Sequence, residues 1–228
     1  MAPLHGIDRR LLLRTTLLGA ATALASCTHG SSSAEEHPIS ADDLSSDRDL
    51  RPLAQFPEKD PLILLTDRPP QLETPLRYFR EDLTPNEAHF VRWHLAGLPA
   101  SVDLKTWRLE VGGNVTHPLK LSLDDLQHKF EPVSLVALNQ CSGNSRSLFE
   151  PRVPGGQWRN GAMSNARWTG VRLKQILDRA GLRPKTIEIS LRGLDKPPLP
   201  ATPPFEKSLP IDVAQNPDVI IAYSMNDK

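Results

Sequence analysis

Thiols are scarce in this sequence, whose 228 residues contain two cysteines, Cys27 and Cys141. A disulfide framework is therefore excluded, and the fold must depend on a packed core, which a chain of this length can bury. Neither sign of charge is in excess, since 27 basic side chains balance 27 acidic ones. This balance, without any run of Lys and Arg, gives no reason to expect nucleic acid as a partner. Aromatic residues make up 5% and proline occurs 22 times, which favours a loop-rich protein with strands over a helical bundle.

Long apolar runs are missing as well. The apolar stretch from Thr15 to Ala25 is too short to remain in a bilayer as a spanning helix. Because Arg9 and Arg10 precede it, residues 1–27 are predicted to be an export signal of the twin-arginine type, and an ordinary basic signal peptide is the alternative. The protein is therefore expected in the periplasm.

The sequence LASC, which ends at Cys27, resembles a lipoprotein processing box. Lipidation of Cys27 would then tether the mature protein to a membrane. In the alternative, a signal peptidase cleaves nearby and leaves Cys27 close to a free end. Residues 28–55 are polar, rich in serine and acidic, and are predicted to form a flexible tether.

Residues 56–228 are predicted to form one α+β domain. Its first part, to about residue 99, is punctuated by proline and is expected to wrap the surface in extended pieces, so that regular structure begins near Thr106. Strands are predicted at WRLEV, PLKLSL, VSLVAL, TIEISLRGL and DVIIAYSM, the third of them buried. Residues 192–218 contain many prolines and are expected to be largely irregular.

Two helices are predicted. Ser122, followed by Asp124 and Asp125, is expected to cap a short helix that runs to about Lys129. In RWTGVRLKQILDRAGL, apolar residues recur at i, i+3, i+4 and i+7, and Gly181 supplies the stop. Strands and helices mix without a βαβ alternation, so the predicted class is α+β.

The predicted strand VSLVAL leads to Cys141 and a Gly-Asn turn. A cysteine in this place can lie at the floor of a pocket, with Gly143 allowing the backbone to approach a ligand closely. Arg146 and Arg152 would favour the thiolate, which is the form that binds metals or attacks electrophiles. The residues alone leave open the alternative of a buried core cysteine.

A second candidate site is HFVRWHLAG, in which Arg92 and His94 would share one face of an extended stretch. The planar fork of an arginine matches a tetrahedral oxyanion. A salt-bridged surface pair is the alternative.

Three segments, LTPNEAHFVRWHLAGLP, NQCSGNSR and GGQWRNGAMSNARWTGVRLKQIL, together resemble the sulfite oxidase family of molybdenum enzymes. Within that family they most resemble the bacterial periplasmic sulfite:cytochrome c oxidoreductases. The resemblance covers roughly residues 75–228, and the segments occur in the family's order. It implies a mixed-sheet molybdopterin-binding domain.

The resemblance also implies roles for individual residues. Cys141 matches the thiolate that binds molybdenum, and Arg92 and Arg146 match the arginines of the anionic substrate pocket. Many relatives have an asparagine where this chain has Trp93. The implied cofactor contacts are Arg92, Trp93, His94, Leu95, Ala96, Cys141 and Asp195. The residues interpreted mainly as packing and turn residues near the cofactor are Trp158, Gly161, Asn165, Arg167 and Trp168.

The implied reaction is oxidation of sulfite to sulfate by oxygen-atom transfer on Mo-molybdopterin, with electrons passing to an external c-type cytochrome. The sequence has no CxxCH motif and no cysteine cluster, so neither haem nor an iron–sulfur centre is expected in this chain. In the family, a phosphate-binding segment, an active-site tyrosine and an immunoglobulin-like dimerisation domain follow the position of Lys228. The sequence therefore predicts a truncated member that lacks the C-terminal part of the domain and the family's dimer contacts.

Two alternatives stay open. One is a molybdoenzyme that resembles the protein-methionine-sulfoxide reductases, against which the paired arginines argue because that substrate is neutral. The other is a non-catalytic, truncated periplasmic lipoprotein that binds an anion or a partner.

Overall fold

The computed structural model describes residues 51–95, 97, 99 and 101–228. The predicted export signal, with Arg9, Arg10 and Cys27, lies outside the described residues, as do residues 28–50 of the predicted tether and Ala96. No helix in the described part of the chain combines the length and the apolar character needed to cross a membrane.

An antiparallel sheet of four short strands begins the described chain. It consists, in spatial order, of β1 (Leu53–Ala54), β2 (Leu62–Asp67), β3 (Pro70–Glu73) and β4 (Val91–Arg92). The apolar side chains of Leu62, Leu72 and Val91 form its core. The expectation that regular structure begins near Thr106 is therefore wrong. The prolines of this region lie between the strands or at a strand start, where they interrupt no ladder hydrogen bond.

The first strand also corrects the predicted domain boundary. Leu53 pairs with Ile63 of β2, and the side chain of Arg51 forms an ion pair with Glu73. The last residues of the predicted tether, 51–55, are thus part of the folded domain.

A second antiparallel sheet contains β7 (Pro132–Gln140), β8 (Met163–Arg172) and β11 (Ile220–Met225), with β8 in the centre. The pairing of β7 with β8 is continuous over nine residue pairs. The strand at VSLVAL is confirmed, but its predicted burial is wrong. Within the described residues β7 pairs on one side only, and Val136 and Leu138 are each 55% exposed on one of its faces.

Two hairpins complete the strands. One joins β5 (Leu109–Val111) to β6 (Leu119–Leu121), and the other joins β9 (Glu188–Arg192) to β10 (Glu206–Pro210). The second hairpin corrects the expectation that residues 192–218 are largely irregular. Their prolines are concentrated in the connection at residues 197–204, which leaves Glu206–Pro210 free to pair with β9.

Three α-helices are described: α1 (Leu123–His128), α2 (Leu173–Ala180) and α3 (Ile211–Ala214). Single 3₁₀ turns occur at Leu76–Arg80, Asn86–Ala88 and Arg146–Leu148. Ser122 and Asp125 cap α1 reciprocally, as the sequence predicts. Hydrogen bonds from Lys129 and Ser122 hold the pKa of the half-buried Asp125 carboxyl well below its usual range.

Helix α2 is shorter than its periodic pattern suggested. Its apolar stripe is buried and Gly181 ends it with a φ of 68°, as predicted. The preceding residues RWTGVR, however, belong to β8, where they pair with both β7 and β11. Pairing on both sides stabilises this segment as a strand, and the buried apolar residues of the helix begin only at Leu173. Antiparallel sheets with helices against them confirm the α+β class.

Candidate active site

The ends of β4, β7 and β9 meet the start of β10 around a cavity of about 710 Å³, here called the cysteine cavity. Its position follows from the topology, because each of these strand ends passes into a connecting segment that faces the same space. The cavity is lined by His89, Phe90, Arg92, Trp93, His94, Asn139, Gln140, Cys141, Ser142, Leu191, Arg192, Gly193, Asp195, Phe205 and Lys207.

The backbone of the loop after β7 fixes Cys141. Its amide donates to the carbonyl of Ala162 over 2.9 Å, and the amide of Gly143 lies 3.4 Å from its sulfur. Asn144 accepts a hydrogen bond from the amide of Ala162, and the amide of Ser145 donates to the carbonyl of Arg159. The half-buried thiol is thus held in the cavity wall by the segment that leads into β8.

The charge in the cysteine cavity is mainly positive. Arg92, Arg192 and Lys207 line it, and Asp195 is the one acidic residue among the described lining residues. Arg192 is paired with Glu206, which lies outside the lining. The remaining guanidinium and ammonium groups favour a small anion.

His94 stands in the wall as a stacked ring. Its centroid lies 4.1 Å from that of Phe205, and the planes are inclined by 29°. Burial lowers the pKa of His94, and repulsion from Arg92 and Lys207 lowers it further, against the opposing effect of Asp195. The lowered pKa disfavours the imidazolium, so the ring contributes hydrogen-bonding capacity more than positive charge.

His89 is the buried member of the lining, with 8% of its surface exposed. Its Nδ1 lies 3.1 Å from the carbonyl oxygen of Phe90, so this nitrogen carries the proton in the neutral ring. Nε2 is buried and has no hydrogen-bond partner among the described residues. Burial lowers the pKa of His89, while the bond to Phe90 opposes the shift.

Five of the residues expected at the site line this one cavity. They are Arg92, Trp93, His94, Cys141 and Asp195. Asp195 reaches the others because the amide of Lys196 donates to the carbonyl of Gly97 over 2.7 Å, which joins the segment after β9 to the segment after β4.

Two expected residues do not line the cavity. Leu95 is buried, with 7% of its surface exposed, and is not among the lining residues. Arg146 is also outside the lining, and its assignment to the substrate pocket stays a prediction. Ala96 lies outside the described residues.

Arg146 is packed into its own loop. Its guanidinium donates to the carbonyl of Gly156 over 3.2 Å. A Cβ on Gly143 would lie 2.9 Å from Nη1 of Arg146, and a Cβ on Gly155 would overlap the same atom. Gly155 also has a φ of 114°, which favours glycine. The arginine therefore fills a cradle that only glycines leave open, and it ties the loop of Cys141 to residues 155–156.

The tryptophans and polar residues of the motif behave as packing and turn residues, as interpreted. Trp158 is 1% exposed. Trp168 donates from Nε1 to the carbonyl of Ala137, and Asn165 donates to the carbonyl of Asp82. Arg167 pairs with Asp227.

Sequence reasoning missed several lining residues, above all Arg192, Phe205 and Lys207. They come together because β10 pairs with β9, which sets Lys207 opposite Leu191 and Glu206 opposite Arg192. The alternation of polar and apolar residues in EKSLP is only a weak indication of a strand, and the prolines before it favoured irregular structure. His89 was missed because a single histidine carries no pattern.

No group of three or more His, Cys, Asp or Glu side chains in the described part of the chain is arranged to hold a metal ion. Cys141 is the one thiol described. A metal bound at Cys141 would therefore need most of its ligands from a cofactor.

A family model described as "Oxidoreductase molybdopterin binding domain" matches residues 95–228. The chain belongs to this family of molybdopterin-binding oxidoreductases, which includes the sulfite oxidases. The match contains Cys141, Arg192, Asp195 and Lys207 of the cysteine cavity.

Several curated relatives of this molybdopterin-binding chain are similar in sequence. Mitochondrial sulfite oxidase of Rattus norvegicus is 38% identical over 184 residues, which cover 77% of this chain and 33% of that protein. Mitochondrial sulfite oxidase of Homo sapiens is 37% identical with the same coverage. Nitrate reductase [NAD(P)H] of Hordeum vulgare is 33% identical over 150 residues, covering 63% of this chain and 17% of that protein. The chain thus spans about a third of the length of the sulfite oxidases that it matches.

The fold has a solved counterpart in the sulfane dehydrogenase SoxCD from Paracoccus pantotrophus. The TM-score is 0.57 at 20% sequence identity, with 97% of this chain and 51% of that chain covered. At this identity the similarity establishes the fold.

The cysteine cavity fits a molybdopterin group by its size and its donors. A volume of about 710 Å³ lies in the range of cofactor sites. The single sulfur suits a soft metal centre whose other ligands come with the cofactor. Amide, imidazole and carboxylate groups of Asn139, Gln140, His94 and Asp195 are available to orient its polar ring.

Proposed function

We propose that this chain carries the molybdenum centre of an enzyme that oxidises sulfite to sulfate and passes the electrons to an external c-type cytochrome. The observation that carries the proposal is the thiol of Cys141 in one cavity wall with Arg92, Arg192 and Lys207. Such a cavity combines a soft metal ligand with positive charge for a small dianion. The relatives named sulfite oxidase support the choice of substrate.

The overall reaction needs water as the source of the oxygen atom and an electron acceptor. Sulfite and water give sulfate, two protons and two electrons, and the acceptor is a c-type cytochrome. Bound molybdenum would supply the oxygen-atom transfer and the two-electron redox change. The chain's own residues bind and orient the reactants.

The lining residues divide the remaining work. Arg92 and Lys207 attract the sulfite dianion and hold it by charge-assisted hydrogen bonds. His94, whose pKa is lowered by burial and by the neighbouring cations, is a group of the lining that can take up a released proton in its neutral form. Phe205 and Trp93 form apolar walls that reduce the water around the anion.

Arg92→Gln tests this assignment by removing one of the cations. We expect the KM for sulfite to rise about tenfold, which corresponds to loss of a hydrogen bond to a charged group, with a smaller effect for Arg92→Lys. The measurement is sulfite-dependent reduction of a c-type cytochrome by the full chain produced in a host that makes molybdopterin. An unchanged KM in Arg92→Gln would remove this arginine from the substrate site.

Nitrate reduction is a second candidate, because a nitrate reductase is 33% identical over 150 residues. Because Arg192 is paired with Glu206, Arg92 and Lys207 stand against Asp195 in the described lining, and this balance does not choose between nitrate and sulfite. The sulfite oxidase of Rattus norvegicus is more similar, at 38% identity over 184 residues, which favours sulfite. Nitrate-dependent oxidation of a reduced viologen dye distinguishes the two. Nitrate turnover without sulfite turnover would reverse the assignment.

We further propose that the protein acts in the periplasm and is anchored through Cys27. The proposal is supported by Arg9, Arg10 and the LASC sequence that ends at Cys27. Growth with a radiolabelled fatty acid tests it, with Cys27→Ala as the control. Equal absence of label from both proteins would contradict the anchor.

A further inference from the structure

A half-buried aromatic ring joins two separate segments in the wall of the cysteine cavity. Phe205 is the last residue before β10, and its ring stacks on that of His94, with the centroids 4.1 Å apart and the planes inclined by 29°. His94 belongs to the segment after β4, far earlier in the chain. Since both side chains line the cavity, the stack fixes two parts of its wall against each other.

The same two segments are also joined through their backbones. The amide of Lys196 donates to the carbonyl of Gly97 over 2.7 Å. A Cβ on Gly97 would lie 2.5 Å from the carbonyl oxygen of Lys196, so this close approach requires a glycine. The approach of the backbones keeps the segments of His94 and Phe205 together, and the stacked rings are a second tie between them.

The ammonium group of Lys207 is the second group that Phe205 contacts. Its Nζ lies 5.2 Å from the centroid of the ring, within the range in which the negative face of an aromatic ring attracts a cation. In the described part of the chain, this ammonium group has no hydrogen bond and no carboxylate partner, and the carboxylate of neighbouring Glu206 is paired with Arg192. The ring of Phe205 is therefore what restrains Lys207 among the described residues.

This restraint matters because Lys207 is exposed. An exposed lysine moves among many rotamers, and ordering it at a ligand costs conformational entropy. A ring that already attracts the ammonium group reduces that cost. A leucine in place of Phe205 would keep an apolar contact with His94 but would present no negative ring face to the cation. The arrangement thus depends on aromatic character and not on apolar volume alone.

We propose that Phe205 is a positioning residue, whose ring holds His94 and Lys207 so that the ammonium group is presented to an anion in the cysteine cavity. The identity of that anion as sulfite rests on the proposed function, whereas the positioning role applies to any small dianion. Phe205 has no polar side-chain atom, so it acts through its two neighbours and not on the reacting atoms.

The test compares Phe205→Leu and Phe205→Tyr with wild type, as full chains produced in a host that makes molybdopterin. Calorimetric titration with sulfate measures dianion binding without turnover, and the KM for sulfite is measured beside it. Phe205→Leu should weaken sulfate binding and raise the KM by about three- to fivefold, the effect of a lost cation–π contact. Phe205→Tyr keeps the ring and should retain most of the affinity. Phe149→Leu, at a residue that is 57% exposed and outside the described lining, is the control and should change neither value.

A double-mutant cycle separates positioning from a general loss of packing. Lys207→Gln should weaken sulfate binding by about tenfold in wild type, but by much less in Phe205→Leu, in which the lysine is no longer held. Equal effects of Lys207→Gln in the two backgrounds would overturn the proposal, as would equal affinities of Phe205→Leu and Phe205→Tyr.

Sulfate binding also keeps this proposal separate from the proposed function. Absence of sulfate binding to wild type at millimolar concentration would overturn the positioning role. The expected coupling between Phe205 and Lys207, found without any sulfite oxidation, would support that role and refute the proposed function.

Discussion

A second cavity, of about 600 Å³, is here called the arginine cavity because Arg51, Arg152 and Arg159 line it. The cysteine cavity and the arginine cavity adjoin the same loop but differ in their chemistry. Among the described residues, each is lined by three cationic side chains and one carboxylate. The cysteine cavity adds a half-buried thiol and a stacked histidine, whereas the arginine cavity has a carboxylate fixed by two donors. Cationic side chains are therefore common to both cavities, and the sulfur distinguishes the one suited to a soft metal.

The cavities also differ in the parts of the fold that form them. Connecting segments at the ends of β4, β7 and β9 line the cysteine cavity, and strands β2 and β3 contribute to the arginine cavity. Catalytic groups on loops held by a rigid scaffold are common in enzymes. Trp158 connects the regions, because its ring contacts Phe90 of one cavity while its chain neighbours Gln157 and Arg159 line the other.

The largest expected effect comes from removing that shared tryptophan. Trp158→Ala deletes a side chain that is 1% exposed and should lower the free energy of unfolding by about 3–5 kcal/mol. The molybdenum content per chain should fall as well, because Trp158 packs against Phe90 of the cysteine cavity. Chemical denaturation measures the stability. Ile187→Ala, at a residue that is 77% exposed, is the control and should change it by less than about 0.5 kcal/mol. A stability loss with an unchanged molybdenum content would contradict the role of Trp158 beside the cysteine cavity.

A smaller effect is expected from Gly155→Ala, which should affect the cysteine cavity first. The new Cβ would collide with the guanidinium of Arg146 at a residue whose φ is 114°, so the stability should fall by about 1–3 kcal/mol. Release of Arg146 should loosen the loop and speed alkylation of Cys141 by iodoacetamide.

Gly113→Ala is the matched control for this change. Gly113 has a φ of 82°, and a Cβ there would meet nothing within 4 Å. Gly113→Ala should lower the stability through backbone strain alone, and it should not speed the alkylation of Cys141. Equal alkylation rates in the two variants would show that Arg146 does not restrain the loop.

The smallest effect concerns pH. The pKa of His89 in the folded protein lies below its ordinary value of 6.5 because of burial, so the unfolded state binds more protons as the pH falls. Stability is therefore complete above pH 6.5 and declines as the pH drops through 6.5 towards the lowered pKa. His89→Phe should reduce the fall in Tm between pH 7.5 and pH 5. His94, shifted in the same direction, would account for part of the remaining decline. An equal fall in wild type and variant would contradict the role of His89.

Much of the fold was accessible from local sequence patterns. The capping box at Ser122, the stripe of α2 and the stop at Gly181 were all predicted, because each depends on residues within a few positions. The strands β1 to β4 were not, since their pairing brings together residues up to about twenty positions apart, and proline-rich stretches disguise them.

The site residues that belong to a sequence motif were predictable, whereas those that strand pairing brings to the cavity were not. Arg92, Trp93, His94, Cys141 and Asp195 were expected from the resemblance and line one cavity. Arg146 was expected there too, but the glycine cradle that holds it is visible only in three dimensions. Arg192 and Lys207 depend on the register of β9 with β10, which no local pattern encodes.

The most direct test of the account is the molybdenum content per chain of the full-length protein purified from a host that makes molybdopterin. Cys141→Ser is compared with wild type and with Ser142→Ala, a neighbour that lines the same cavity. The account predicts metal in wild type and in Ser142→Ala, and background levels in Cys141→Ser. Equal molybdenum in all three proteins would show that Cys141 is not the ligand, and the assignment of the cysteine cavity would fail.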